Sequence, residues 1–85
     1  MVNNEPEKTL VDVVEMLADG SLKIAVSVTA QNGMNGADSW ISPPGSPDFI
    51  EFGTRHRVTK PGQVSAITKK LINGEWHQSE QRFGE

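Results

Sequence analysis

Alternation within Ser21–Thr29 limits what this chain can fold into more than any other feature. Leu22, Ile24, Val26 and Val28 occupy every second position, with Lys23, Ala25, Ser27 and Thr29 between them. Successive side chains of a strand point to opposite faces, so this spacing sets four aliphatics on one face and small or charged groups on the other. The segment reads as a half-buried β-strand. Its apolar row needs other parts of the chain gathered over it.

At 85 residues the chain suits one small domain, whose core supplies a narrow stability margin. Twenty of those residues are Leu, Ile, Val or Phe, above the ~20 % level below which disorder becomes the default. A folded centre over residues 9–83 follows, with tails at 1–8 and 84–85 polar enough to fray. The chain has no cysteine, which removes disulfides, thiolate metal sites and cysteine nucleophiles, and suits a reducing compartment. Glu5, Glu7, Asp12, Glu15 and Asp19 break up the first twenty residues, against a cleavable leader. No apolar run is long enough to cross a bilayer, so no membrane partner is expected and the cytoplasm is the expected location.

Two segments admit both periodicities. Across Glu5–Gly20, Leu10, Val13, Val14 and Leu17 form a helical stripe with Asp12, Glu15 and Asp19 opposite. Pro6 suits a first turn and Gly20 a helix end. As a strand, the segment pairs with Ser21–Thr29 across Asp19-Gly20, and Thr9, Val11, Val13 and Val14 favour that reading. Alternation is broken by Glu15, which shares a face with Val11, Val13 and Leu17, and by Asp12, which sits with Leu10 and Val14. The helix is therefore preferred. Val64–Ile72 also fits either period, but Ile72-Asn73-Gly74-Glu75 is a favoured two-residue hairpin turn. That hairpin sets Leu71 opposite Trp76 and Val64 opposite Phe83. The expected fold is α+β: an N-terminal helix packed on a short, mostly antiparallel sheet. The alternative is all-β, with hairpins at Asp19-Gly20 and Asn73-Gly74.

Residues 30–48 read as a long Gly/Pro-rich loop with two Asn-Gly pairs. Ser46-Pro47-Asp48 resembles a helix start, followed by one turn ending at Gly53, although DFIEF also suits a strand. Thr54–Lys60 looks like an exposed edge. Within the loop, Trp40 and Ile41 either plug the core or anchor a partner, and the core is the more ordinary fate.

Chemistry is sparse. The chain holds neither common glycine-rich phosphate loop, nor a Gly-x-Ser-x-Gly elbow, nor a metal motif around His56 and His77, and no cofactor is implied. Ser39 or Ser42 with Asp38 and a histidine permits a triad on paper, as most chains do. Catalysis is not expected. Charge is uneven: the first 51 residues are acidic, whereas 52–74 carry Arg55, Arg57, Lys60, Lys69 and Lys70 without an acid. Flanked by Phe52 and Trp76, that basic stretch suggests a nucleic-acid surface. The blander account pairs it with Glu75, Glu80 or the acidic segment, and the sequence pI of 5.3 favours that account. The leading expectation is a non-catalytic module that binds another protein or itself, with Trp40 and Ile41 as anchors. A nucleic-acid-binding accessory protein using segment 55–70 is the alternative.

Overall fold

The computed structural model describes residues 7–30, 33 and 35–84. Five strands and one helix follow in order: β1 (Lys8–Met16), β2 (Leu22–Ala30), β3 (Gly36–Ser42), α1 (Pro47–His56), β4 (Val64–Ile72) and β5 (Glu75–Phe83). They form one antiparallel sheet in the order β3-β2-β1-β4-β5. Helix α1 packs on one face. The architecture is α+β and mostly sheet.

The expected N-terminal helix is strand β1, and the helix lies between β3 and β4 instead. Val11, Val13 and Val14 suit an extended backbone, and β1 sits at the centre of the sheet, paired on both sides. The two acids that spoil its alternation both stand beside cations. Asp12, on the helix side, receives Arg55 from α1 at 3.3 Å. Glu15, on the other side, is directly opposite Lys23. The turn is a three-residue loop, Ala18-Asp19-Gly20. Leu17 N–H bonds the Ser21 carbonyl at 2.8 Å and Gly20 takes a φ of +88°, a conformation that suits glycine.

The hairpin expected at Asn73-Gly74 is present. Both turn residues have positive φ (53° and 78°), and Leu71 faces Trp76 while Val64 faces Phe83. Within the stretch expected as loop 30–48, Gly36–Ser42 forms edge strand β3. Of the tail expected over residues 1–8, all but Glu7 and Lys8 lies outside the described residues, and Lys8 opens β1.

Helix α1 starts where Ser46 predicts. Its Oγ accepts from Phe49 N–H at 3.3 Å, with Pro47 in the first turn. It runs through Gly53 to His56, so Thr54–His56 is helical rather than an edge. Gly53 lies against Leu22 Cδ1, within ordinary contact distance even for an added methyl. The helix stops at Arg57, which adopts the left-handed conformation (φ 54°) and returns its N–H to the Gly53 and Thr54 carbonyls.

The core forms where α1 meets the sheet. Val14, Met16, Leu22, Ile24 and Val58 are buried, with Val26, Trp40, Phe49 and Phe52 packed against them. Full burial of an aliphatic side chain contributes roughly 1.5–3 kcal/mol, so Val14, Leu22 and Ile24 are central to stability. The inward row of β2 is graded: Leu22 and Ile24 are sealed, Val26 is partly covered and Val28 is 39 % exposed. Helix α1 covers the Leu22 end of β2 and leaves its Val28 end exposed.

Candidate interaction surface

One buried polar cluster ties α1 to the last two strands. His56 and Ser65 are both fully buried, and His56 Nδ1 lies 3.0 Å from Ser65 Oγ. Ser65 Oγ donates in turn to Glu80 Oε2 at 3.3 Å. That direction requires Nδ1–H to donate to Ser65, leaving Nε2 as a bare acceptor. Nε2 has no hydrogen-bond partner among the described residues, and a lone pair is cheaper to strand than an N–H. Arg82 donates to the His56 carbonyl, and to the Arg57 carbonyl at 2.6 Å, placing a cation on the carbonyls at the helix C-terminus. Arg57 closes the group by pairing with Glu80 at 2.8 Å.

Burial pushes the His56 imidazole below its ordinary pKa of 6.5; the Asp12 and Glu80 carboxylates oppose this, and Arg55 reinforces it. Partial desolvation pushes Glu80 up, but Arg57, Arg82 and Ser65 together outweigh it and hold the carboxyl low. Serine, imidazole and carboxylate therefore meet, but in the wrong order for nucleophilic catalysis. The hydroxyl stands between the other two, its residue is sealed from solvent, and the carboxylate orients serine rather than histidine. Chemically the cluster is a clasp.

The basic residues singled out from the sequence do not converge. Arg55 lies over the Phe52 ring at 4.9 Å and pairs with Asp12 and Glu51. Arg57 belongs to the clasp, and Lys60 is exposed in the loop after α1. Lys69 and Lys70 are neighbours on a strand, so they point to opposite faces of the sheet. Lys69 lines a shallow depression with Leu10, Trp76 and Gln78 on the helix side, whereas Lys70 stands opposite His77 on the other.

Trp40 and Ile41 separate for the same reason. Trp40 packs edge-on against Phe52 (5.9 Å between ring centres) and donates from Nε1 to Asp48 at 3.2 Å. It buttresses α1. Ile41 faces away from the helix and is 62 % exposed.

That outward side, the open face, shows its organisation once the strand registers are combined. One row across the sheet, from β3 to β5, reads Ile41, Lys23, Glu15, Val64, Phe83. The next reads Ser39, Ala25, Val13, Ala66, Gln81, and the third Ala37, Ser27, Val11, Thr68, Ser79. The middle is small and largely apolar, and a shallow groove runs over Val11, Val13, Ala25 and Ala37. No helix of the described residues lies across it, since α1 packs on Leu22, Ile24 and their neighbours on the other side. This surface is not evident from the sequence. Its one legible trace was the small residues between the aliphatics of β2.

Among the described residues, no three His, Asp or Glu side chains cluster as metal ligands, and no helix is long and apolar enough to cross a membrane. Compared with protein-family models, with curated proteins and with solved structures, the chain matches none of them.

Proposed function

We propose that the chain is a non-catalytic interaction module that binds protein through the open face of its sheet. The observation that carries this reading is the set of rows centred on Val11, Val13, Ala25 and Ala66. They make a flat patch of small side chains edged by Ile41 and Phe83, which are 62 % and 58 % exposed. Contiguous apolar surface of this kind on a small domain marks a contact site. Ile41 keeps the anchoring role expected of it, while Trp40 serves the fold. In the assembly of serine, histidine and carboxylate described above, the serine and the imidazole are buried and committed to holding α1, which supports a non-catalytic role. Lack of cysteine suits work in the cytoplasm.

Site-specific photo-crosslinking tests the reading. A benzophenone side chain replaces Ser39 or Gln81 on the open face, or Ile50 on the outer side of α1. Adducts that are protease-sensitive, and that form from positions 39 and 81 but not 50, are expected. Adducts confined to Ile50, or none at all, refute the proposal. Nuclease-sensitive adducts move the assignment to nucleic acid.

A further inference from the structure

We infer that the open face docks on a second copy of the chain, about a two-fold axis running along the strands between β1 and β2. The inference rests on the open face being the binding surface, and the register supplies the rest. A two-fold in that position lays β1 of one copy on β2 of the other and β3 on β4, with each row meeting itself.

The three rows described above then match across the two copies. In the first, Lys23 faces Glu15 of the second copy, Glu15 faces its Lys23, and Ile41 faces its Val64. Opposite charges and apolar groups thus meet their own kind of partner without any side chain moving between rows. In the second row Ala25 lies against Val13 of the second copy, and in the third Ser27 against its Val11. In these two central pairs a small residue meets a larger one, so the middle of the two faces interlocks instead of stacking bulk on bulk. Phe83, on β5, overhangs the edge and flanks Ile41 of the second copy.

Other positions of the axis lose this. Running along β1, it sets Glu15 against itself. Running across the strands through the second row, it sets Glu15 against Val11 and Lys23 against Ser27, so neither charge meets its opposite.

The area also fits. Three nine-residue strands and the seven-residue β3, at about 4.8 Å spacing and ~3.4 Å per residue, cover roughly 550 Å² of flat sheet. Side-chain relief and the overhanging β5 bring this close to the ~800 Å² that each partner contributes to a standard interface. A second copy through the β3 edge is the poorer arrangement. There the Asp38 carboxylate occupies the Ser39 N–H at 2.8 Å, a donor an added strand would compete for.

Charge reversal in separate chains tests the arrangement by equilibrium sedimentation of the full chain. Wild type is expected to be dimeric. Lys23→Glu and Glu15→Lys should each weaken self-association by about tenfold or more, since each puts like charges face to face. A one-to-one mixture should recover dimer, because only the mixed pair restores both cross-copy contacts. Inside each variant chain the 15–23 pair remains like-charged, so recovery cannot come from repair within the fold. Should either reversal unfold the chain, cysteines in this cysteine-free background give a second route. Ser39→Cys mixed with Ala66→Cys should link through a short bis-maleimide, and neither variant should link to itself at a comparable rate.

A dimer that the mixture fails to restore, or self-linking as fast as mixed linking, overturns this geometry. A monomeric wild type that still forms adducts with a different protein from positions 39 and 81 overturns self-docking and leaves the binding reading standing. A monomer with no adducts removes both.

Discussion

Ser65→Ala takes one hydroxyl out of the clasp between α1 and the sheet. The loss is worth more than a single surface hydrogen bond. Nδ1–H of a fully buried imidazole loses its acceptor, on a ring whose Nε2 already lacks a partner. A stranded buried donor costs about 1–3 kcal/mol, against roughly 1 kcal/mol for an ordinary net hydrogen bond. A loss of about 2 kcal/mol at pH 7.5 is therefore expected. With a urea m-value near 1 kcal/mol/M for a domain this small, the midpoint should fall by about 2 M. His56→Leu in the Ser65→Ala background removes the stranded donor along with the ring. The double variant should recover most of that loss, giving a coupling of about 1–2 kcal/mol.

Acid adds a second reading of the same group. The folded-state pKa of His56 lies below its unfolded value of 6.5, because burial disfavours the imidazolium. The unfolded chain therefore takes up the proton first. The contribution is whole above pH 6.5 and is lost as the pH falls from there through the folded-state pKa. Urea titrations followed by tryptophan fluorescence at pH 7.5, 6.5 and 5.5 measure both effects. If Ser65→Ala is neutral within 0.5 kcal/mol, or His56→Leu keeps the full decline below pH 6.5, the account of the clasp is wrong.

Gly53→Ala should stabilise the fold by about 0.5–1 kcal/mol, because Ala is the better helix former and its methyl sits in ordinary contact with Leu22. Calorimetry should show the melting temperature rising by a few degrees. Trp40→Ala should cost about 2 kcal/mol, below the 3–5 typical of a sealed tryptophan, since Trp40 is half-buried. Sedimentation should leave its association state unchanged, in contrast to the charge reversals on the open face. Single-stranded and duplex oligonucleotides should show no salt-sensitive binding in fluorescence titrations at low salt, since Arg55 and Arg57 are in ion pairs and Lys69 and Lys70 face opposite ways. Steep salt-dependent binding lost in Arg55→Ala or Arg57→Ala would reverse that expectation.

Legibility followed how local each determinant is. Leu22 to Val28 announced β2, and Asn73-Gly74 announced the β4–β5 hairpin with its cross-strand pairs, because alternation and turn chemistry act within a few residues. Strand β1 reads as a helix in the sequence because Asp12 looks wrong on an apolar face until Arg55 arrives from 43 positions away. β3 was hidden because its Gly36, Asp38 and two serines imitate a loop, and an edge strand on a half-open face tolerates such composition. α1 outran Gly53, a residue that weakens helices but fits where the helix lies close to Leu22. Trp40 and Ile41 could be nominated, but which faces inward depends on β3 being a strand. The open face needed four registers at once, which no window of sequence contains.

The chain order of the sheet bears on synthesis. Strand β1 leaves the ribosome before β4, whose first residue is Val64, and one of its flanks waits for that strand. Until then the nascent meander β1–β3 carries an unsatisfied backbone ladder on a valine-rich strand, open to capture by another polypeptide. Supplying β4–β5 as a separate peptide to a chain ending near Lys60 should fill that vacancy, making the Thr59–Gln63 turn a natural place to split this protein into reporter halves.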